Sequence, residues 1–292
     1  MLCNLCPRQC NALRTLNDNV GGVCGMPELL TVARASLHFW EEPCISGKNG
    51  SGTVFFSGCS LHCVYCQNAD ISTKNKGKTV TAGELADIFK KLESDGAHNI
   101  NLVTPTHFAD GIIKALDIYR PNIPIVYNSS GYECVDTLKR LEGYVDIFLM
   151  DFKYFDNNKA RLYSNASDYV DVCKNSLLEA YRQQGECIFQ NGIMQKGLII
   201  RHLLLPQSTR DAIDTFDWVQ QNTPNAYFSI MSQYIPLGPA ADMPIINRKI
   251  TTREYDKVVN YIADSGFNNC YIQERTSANK NFIPEFDYTG IN

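Results

Sequence analysis

The sequence lacks several features that would place the protein in a common class. No run of apolar residues approaches the ~20 that a membrane-spanning helix needs, and the longest candidates, such as Gly197–Leu205, contain Arg and His. No tract of Lys and Arg occurs and the net charge is −4, which argues against binding to a nucleic-acid backbone. The N-terminal sequence MLCNLCPRQC is polar and unlike a signal peptide. We therefore expect a cytoplasmic protein whose partners include neither membrane nor nucleic acid.

Cysteine, in contrast, is abundant. Of the 292 residues, 44% are apolar and 20% are charged, a balance that is typical of a chain with a packed core. Twelve residues are cysteine, and seven of these fall in two tight clusters within the first 66 positions. Because disulfides are rare in a reducing compartment, this clustering predicts metal sites.

Most of the chain alternates short apolar runs with amphipathic segments. The predicted strands are Thr53–Ser57, Asn99–Thr104, Ile123–Asn128, Val145–Phe152, Leu198–Leu205, Ala226–Ser232 and a last run, Cys270–Gln273. The predicted helices are Ala82–Ser94, Phe108–Tyr119, Glu133–Leu141, Asp168–Gln184, Arg210–Gln221 and Thr252–Ser265. Most of these strands are continuously apolar, as strands buried on both faces are. The pattern predicts an α/β fold with a parallel sheet, either doubly wound or an incomplete (β/α)6 TIM-like barrel.

A cysteine motif follows the first predicted strand directly. Cys59, Cys63 and Cys66 are spaced C-x3-C-x2-C in the run GTVFFSGCSLHCVYCQN. Three thiolates at this spacing can bind three irons of a [4Fe–4S] cluster and leave the fourth iron open for chemistry. The alternatives are three buried core cysteines or a zinc knuckle completed by His62. A knuckle normally has paired C-x2-C hooks, so the motif favours the cluster.

This motif resembles that of the radical S-adenosylmethionine (SAM) superfamily, C-x3-C-x-aromatic-C, with Tyr65 as the aromatic residue. The resemblance implies an incomplete (β/α)6 barrel and an oxidoreductase in which the amino and carboxylate groups of SAM bind the open iron. It implies reductive cleavage of SAM to methionine and a 5′-deoxyadenosyl radical, which removes a hydrogen atom from a substrate. Tyr65 would lie near the adenine, and a flavodoxin or ferredoxin would donate the electron.

Further segments resemble the branch of that superfamily around the pyruvate formate-lyase activating enzyme. Asp151 and Lys153 match its strand ending in Asp-x-Lys, Arg201 matches its strand with Arg before an apolar run, and Asn128 begins a turn like its Asn-Gly turn. The resemblance implies that these residues bind the carboxylate and ribose of the cofactor. An internal Asp–Lys or Asp–Arg ion pair is the alternative. Gln233, after the sixth strand, either faces the pocket or caps the barrel.

One segment departs from the pattern of that branch. Most of its members carry Gly-Gly-Glu after the second strand, where the backbone holds the amino group of the cofactor, but this chain has NLVTPTHF. Thr104 and Thr106 offer hydroxyls or carbonyls for the same contact, because Pro105 favours an extended loop. His107 is either a functional residue or a loop residue.

Four further cysteines lie near the N-terminus, in a segment with little hydrophobic periodicity. Cys3, Cys6, Cys10 and Cys24, here called the cysteine box, are spaced C-x2-C-x3-C-x13-C. Four thiolates complete a coordination shell without another ligand. We predict a second [4Fe–4S] cluster or a zinc ion here, with four unrelated thiols as the alternative. The chain then divides into a cysteine-rich extension, residues 1–45, and the barrel, residues 46–292.

The sequence thus predicts a radical SAM enzyme without naming its substrate. The resemblance to activating enzymes implies a protein substrate, a glycyl-radical enzyme that loses a hydrogen atom from a backbone glycine. Modification of a small molecule or a peptide is the first alternative. A non-catalytic iron–sulfur or zinc protein is the second.

Overall fold

The protein, described by a computed structural model over residues 2–277 and 284–291, is built around one large sheet. The strands are β1 (Leu13–Arg14), β2 (Asn19–Val20), β3 (Leu30–His38), β4 (Ser51–Phe56), β5 (Lys78–Val80), β6 (Ile100–Val103), β7 (Ile125–Ser129), β8 (Ile147–Asp151), β9 (Ile188–Gln190), β10 (Ile193–Leu203), β11 (Tyr227–Met231) and β12 (Cys270–Ile272). The α-helices are α1 (Pro43–Ser46), α2 (Ala69–Ser72), α3 (Ala82–Ser94), α4 (Ala109–Ile118), α5 (Val135–Arg140), α6 (Asn157–Ser164), α7 (Tyr169–Gln184), α8 (Thr209–Asn222) and α9 (Thr252–Asp264).

The order of the strands identifies the architecture. They lie in the order β12, β11, β10, β8, β7, β6, β4, β3, β5, and β9 pairs with β10. From β4 to β12 the neighbours are parallel and follow the chain order, without the reversal of a doubly wound sheet. No pairing among the described residues joins β12 to β5, so the barrel is incomplete. The predicted TIM-like partial barrel is therefore confirmed.

The predicted strands and helices are present, with small shifts at their ends. Helix α3 has the predicted bounds because Thr81 and Glu84 form a capping box at its start. Its apolar residues at helical spacing, including Leu85 and Phe89, are buried against the sheet. No helix of residues 2–277 and 284–291 has the length and apolar character to cross a membrane.

Strand β3 is a feature that the sequence analysis did not predict. It runs antiparallel to both β4 and β5. On the same strand, the amide of Ala35 donates to the carbonyl of Thr289, with 2.8 Å between N and O. Arg34 forms an ion pair of 2.8 Å with Asp287, 253 positions away. Residues 284–291 therefore pack along β3, a strand near the N-terminus.

Candidate active site

The carboxyl ends of the parallel strands surround a cavity of about 540 Å³, here called the strand-end cavity. This end of a barrel is where the βα loops place catalytic residues. Two of the motif cysteines, Cys63 and Cys66, line it. The fold also brings six of the predicted cofactor-binding residues to its wall: Tyr65, Asn128, Asp151, Lys153, Arg201 and Gln233.

The motif cysteines lie on the loop that follows β4, residues 58–68, here called the cluster loop. Gly58 turns the chain into this loop with φ of +81°. A Cβ at this position would lie only 2.9 Å from the carbonyl oxygen of Cys24 and would clash with the side chain of Met26. Only glycine allows both this backbone conformation and this close approach. The cluster loop therefore packs directly against the segment that carries the cysteine box.

Every sulfur of the motif accepts a hydrogen bond from the protein. The donors are the amide of Leu61 to Cys59 (3.4 Å), the hydroxyl of Ser164 to Cys63 (3.0 Å) and the hydroxyl of Ser72 to Cys66 (3.3 Å). Such donors stabilise negative charge on thiolates that bind a cluster. Burial raises the pKa of the Cys59 thiol to about 12, so a thiolate there needs a cation such as iron beside it. Three thiols on one loop, two of them on the wall of the cavity, fit a [4Fe–4S] cluster with one open iron.

This arrangement differs from a site for a single metal ion. Among residues 2–277 and 284–291, no three His, Cys, Asp or Glu side chains are placed to hold one ion together. A [4Fe–4S] cluster does not require that placement, because each thiolate binds a different iron.

Arg201 is the centre of a hydrogen-bonded network on the wall of the same cavity. Its three nitrogens donate to three side chains: Nε to Asp151 (2.9 Å), Nη1 to Glu41 (2.9 Å) and Nη2 to Asn128 (2.7 Å). Asn128 Nδ2 in turn donates to Glu41 (3.2 Å), and Lys153 Nζ donates to Asp151 (2.6 Å). A guanidinium has five N–H donors and an ammonium has three. Arg201 and Lys153 therefore retain donors for a ligand although both are ion-paired.

The charges of this network balance one another. Burial raises the pKa of the Asp151 carboxyl, but the charges of Arg201 and Lys153 outweigh burial and hold this pKa below its usual value. Burial lowers the pKa of Lys153, but the carboxylate of Asp151 more than offsets it, so the pKa is raised. All three groups are thus charged at neutral pH. An internal Asp–Lys or Asp–Arg ion pair is the alternative to cofactor binding that the sequence leaves open. Both ion pairs are present, and they lie on the cavity wall.

The acidic residues before α1 belong to the site but were not predicted. Glu41 and Glu42 both line the strand-end cavity, as do the largely exposed Phe39 and Trp40. Burial raises the pKa of Glu42 to about 7, although Arg201 and a hydrogen bond with Ser229 lower it in part. The signal in the sequence is the run FWEEPC, where two adjacent carboxylates follow two aromatic residues.

Thr104 and Thr106 do not line the strand-end cavity. The hydroxyl of Thr106 is buried and donates to Glu133, with 2.7 Å between the oxygens. Pro105 does not extend the loop as predicted: it has helical φ and ψ, and a 3₁₀ turn, Thr106–Phe108, follows it. The expectation of an extended segment is therefore wrong, because the chain turns at once into α4.

His107 contacts the backbone rather than the cavity. Its Nε2 lies 2.7 Å from the carbonyl oxygen of Ser57. Burial lowers the pKa of His107 to about 4, so the ring is neutral and Nε2–H donates to that carbonyl. The residue holds the end of β4, directly before the cluster loop.

Tyr65 packs among other tyrosines on the cluster side of the cavity. Its hydroxyl lies 2.5 Å from that of Tyr154, and its ring contacts Tyr163 and Tyr234 edge to face. Tyr65 is thus held rigidly by its neighbours.

Gln233 accepts a hydrogen bond of 3.0 Å from Gln273.

The thiols of the cysteine box lie close enough to influence one another. Burial raises the pKa of Cys6 to about 12, and the nearby thiols of Cys24 and Cys3 contribute in the same direction. Burial also raises the pKa of Cys24, with contributions from Cys3 and Cys10. Arg14 Nη1 lies 3.6 Å from the sulfur of Cys3. These four cysteines therefore lie near one another, although among the described residues no three of them are placed to hold a single metal ion.

Comparison with known proteins assigns the family. The family model described as the radical SAM superfamily matches residues 53–219. The chain belongs to this superfamily. The matched region begins in β4, includes the cluster loop and the whole Arg201 network except Glu41, and ends in α8. Membership makes the protein an enzyme whose cofactors are a [4Fe–4S] cluster and SAM.

Two sequence relatives and one solved structure match different parts of this radical SAM protein. The uncharacterized protein MJ0674 of Methanocaldococcus jannaschii is 33% identical over 268 residues, covering 88% of this chain and 73% of its own. The 7-carboxy-7-deazaguanine synthase of Methanothermobacter thermautotrophicus is 25% identical over 107 residues, 36% of this chain and 43% of its own. Streptococcus suis SuiB, in a crystal structure with bound SAM, superposes with a TM-score of 0.51 at 14% identity. That match covers 74% of this chain but only 48% of SuiB, so the chain spans about half of it.

Proposed function

We propose that this radical SAM enzyme cleaves SAM reductively to methionine and a 5′-deoxyadenosyl radical, which abstracts a hydrogen atom from a substrate. The observation that carries the proposal is that two motif cysteines and the Arg201 network line one cavity. When bound, the cluster supplies the electron that breaks the carbon–sulfur bond of the sulfonium. The remaining work of binding, orientation and exclusion of water falls to the residues of the cavity.

The cavity wall matches the charges of SAM, which carries a carboxylate, an ammonium and a sulfonium. The free donors of Arg201 and Lys153 suit the carboxylate. The oxygens of Asp151, Asn128 and Glu41 suit ribose hydroxyls or the ammonium. A volume of about 540 Å³ is within the range of cofactor sites, and it leaves space for part of a substrate beside SAM.

The substrate we propose is a protein, a glycyl-radical enzyme, and the proposed electron donor is a flavodoxin or ferredoxin. The resemblance of the Asp151, Lys153 and Arg201 segments to activating enzymes supports this assignment. So does the mouth of the cavity, where the exposed side chains of Phe39 and Trp40 offer apolar contact area. A small molecule or a peptide is the other class of substrate. We also propose that the cysteine box binds a second metal centre and that residues 1–45 form an extension of a barrel over residues 46–292.

An anaerobic assay tests the reaction. Reconstituted protein reduced with dithionite should release 5′-deoxyadenosine from SAM, measured by liquid chromatography. Cys63→Ala should abolish the release, because no spare ligand replaces that thiolate. Cys187→Ala is the matched control and should retain it, since this thiol donates to backbone carbonyls of Leu198 and Asn225 and does not line the strand-end cavity. Cleavage by the Cys63→Ala protein at the parent rate would overturn the assignment, and no cleavage by the parent would support a non-catalytic role.

A second experiment addresses the substrate. The parent protein is incubated with SAM, reductant and a co-expressed glycyl-radical enzyme. A glycyl radical signal in electron paramagnetic resonance (EPR) spectra of the partner is expected. Vigorous SAM cleavage without any signal on such partners would support the small-molecule or peptide class instead.

A further inference from the structure

Arg8 lies between two cysteines of the cysteine box, Cys6 and Cys10, and its side chain contacts the barrel. Its guanidinium Nε donates to the carbonyl of Ser60 (2.7 Å), and Nη2 donates to the carbonyl of Ser164 (2.9 Å). Nη1 donates to the carbonyl of Asn165. The same guanidinium lies 5.3 Å from the ring centre of Tyr132, at the distance of a cation–π contact. Arg8 thus joins the segment between Cys6 and Cys10 to three parts of the barrel.

Both main recipients of these bonds lie next to cluster ligands. Ser60 follows Cys59 in the cluster loop. Ser164 is the last residue of α6, and its hydroxyl donates to the sulfur of Cys63. The last carbonyls of a helix have no partner within the helix and carry partial negative charge. Arg8 satisfies two of them, at Ser164 and Asn165, and thereby fixes the end of α6 against the cluster loop.

Other contacts hold the cysteine box against the same region. Arg14 Nη1 donates to the carbonyl of His107 (2.7 Å), and His107 donates to the carbonyl of Ser57. The carbonyl of Cys24 lies against Gly58. The segment that carries the cysteine box therefore borders the start of the cluster loop. Arg8 of this segment holds Ser164, the donor to Cys63.

We propose that Arg8 couples the cysteine box to the radical-generating cluster. Metal bound by the box orders residues 2–26, which have few apolar side chains to bury, because binding energy at such a site is folding energy. The ordered segment presents Arg8 to Ser60 and Ser164, and Ser164 in turn keeps its hydroxyl on the sulfur of Cys63. Arg8 is a positioning residue, since it contacts neither cofactor nor substrate. The inference rests on the proposed function, because it concerns the cluster at Cys59, Cys63 and Cys66.

The coupling has a measurable electrochemical consequence. Hydrogen bonds to cluster sulfurs stabilise the reduced cluster, which carries one more negative charge, and so raise its reduction potential. Loss of Arg8 frees the end of α6, which weakens the donation to Cys63. We expect the ratio of reduced to oxidised cluster at a fixed potential to fall about tenfold, which is ~59 mV for a one-electron couple.

The test is a redox titration of the full chain, followed by EPR spectroscopy. The cluster at Cys59, Cys63 and Cys66 is recognised by the change of its signal when SAM is added, which separates it from any cluster in the box. Arg8→Gln should shift the midpoint to lower potential. Arg8→Lys keeps the charge but not the planar fork of donors, so it should shift the midpoint less. The control is Arg161→Gln, which removes an exposed guanidinium from the same helix, α6, and should shift nothing.

The second part of the experiment removes the metal from the cysteine box. The Cys3→Ala/Cys6→Ala variant should shift the midpoint in the same direction as Arg8→Gln. Loss of the metal and loss of Arg8 both act on the cluster through the contacts of Arg8. A variant that combines them should therefore shift the midpoint potential no further than the larger of the two single shifts. An unchanged midpoint in both Arg8 variants, or fully additive shifts, would overturn the coupling. A parent protein without any SAM-responsive cluster would overturn the proposed function and the coupling together, whereas a parent that cleaves SAM with unshifted variants refutes the coupling alone.

Discussion

Ser164 donates a hydrogen bond from Oγ to Sγ of Cys63 across 3.0 Å, although the two residues are 101 positions apart in the chain. The same hydroxyl lies 2.7 Å from the hydroxyl of Tyr154, which lies 2.5 Å from that of Tyr65. The sulfur of one cluster ligand and the aromatic residue of the motif are therefore connected through a short chain of hydroxyls. A shift of Ser164 would therefore affect the hydrogen bonding of both Cys63 and Tyr65.

The bond to Cys63 leads to a prediction about the cluster. Ser164→Ala removes the donor to the thiolate, so the cluster should become harder to reduce, and its midpoint potential should fall. An EPR-monitored redox titration measures this. Ser176→Ala is a matched control, because that buried hydroxyl donates only to the carbonyls of Gly131 and Cys173. A midpoint that moves equally in both variants would show that lost packing, not the lost hydrogen bond, is responsible.

Arg201 is expected to contribute to cofactor binding. A hydrogen bond to a charged group contributes roughly 1.5–3 kcal/mol, so Arg201→Met should weaken SAM binding about ten- to a hundredfold without loss of iron. Calorimetric titration of the reconstituted protein measures the affinity. Arg182→Met, which removes an ion-paired guanidinium on the outside of the barrel, should leave the affinity unchanged. Unchanged affinity in Arg201→Met would give Arg201 a purely structural role.

The same substitution should also destabilise the fold. It leaves the carboxylate of Glu41 without its cation, whereas Asp151 keeps Lys153, and breaking such a buried pair costs about 3–5 kcal/mol. The double variant Arg201→Met/Glu41→Gln removes the unpaired charge. We expect it to regain part of the thermal stability but none of the affinity. Recovery of both would mean that the loss of affinity came from the damaged fold.

Glu133 gives the stability a dependence on pH. Burial raises its pKa to about 7, whereas glutamate in an unfolded chain has ~4.3. The folded state therefore holds this proton more tightly, so the contribution of Glu133 to the free energy of unfolding should fall as the pH rises from about 4.3 towards 7, whereas the neutral, buried His107 contributes a slope of the opposite sign. The midpoint of urea unfolding at pH values across this window measures the effect, which is at most ~3 kcal/mol.

Glu133→Gln should remove this part of the slope. Glu42, whose pKa is also about 7, contributes a slope of the same sign, so the double variant Glu42→Gln/Glu133→Gln should lose both contributions. Glu84→Gln, at the exposed start of α3, should keep the slope of the parent. The same slope in the parent protein and in the Glu133→Gln variant would contradict the argument.

Metal analysis distinguishes the two centres proposed for the cysteine box. With zinc in the box, the protein should contain about four irons and about one zinc per chain. With a second cluster, iron should approach about eight and fall by about half in the Cys3→Ala/Cys6→Ala variant. Cys173→Ala, a buried thiol within the core cluster of apolar residues, should change neither metal. A metal-free box in a protein that keeps four irons and an ordered N-terminal segment would refute both forms of the idea.

The barrel strands could be predicted from the sequence because burial on both faces makes them continuously apolar. Strand β3 was missed because its apolar residues are interrupted by Arg34 and Ser36, which face the C-terminal segment rather than a helix layer. The partners of Arg201 show a second limit. Asp151 was found at a strand end, but Glu41 lies 160 positions away in a segment assigned to the extension, and no local pattern joins the two. Likewise, the bond from Thr106 to Glu133 is visible only in three dimensions.

The pairing of β3 with residues 284–291 has a consequence for the order of events during synthesis. Strands β4, β6, β7, β8, β10 and β11 can pair in turn as they leave the ribosome, because each of these follows the previous one both along the sheet and along the chain. Strand β3 obtains its contacts with Asp287 and Thr289 only after most of the chain has been translated, and such distant pairing is slow. Glu41, which follows β3, meets Arg201 only after β10 has been translated, 160 positions later. In a nascent chain, the cavity wall that we propose for SAM binding is therefore completed late.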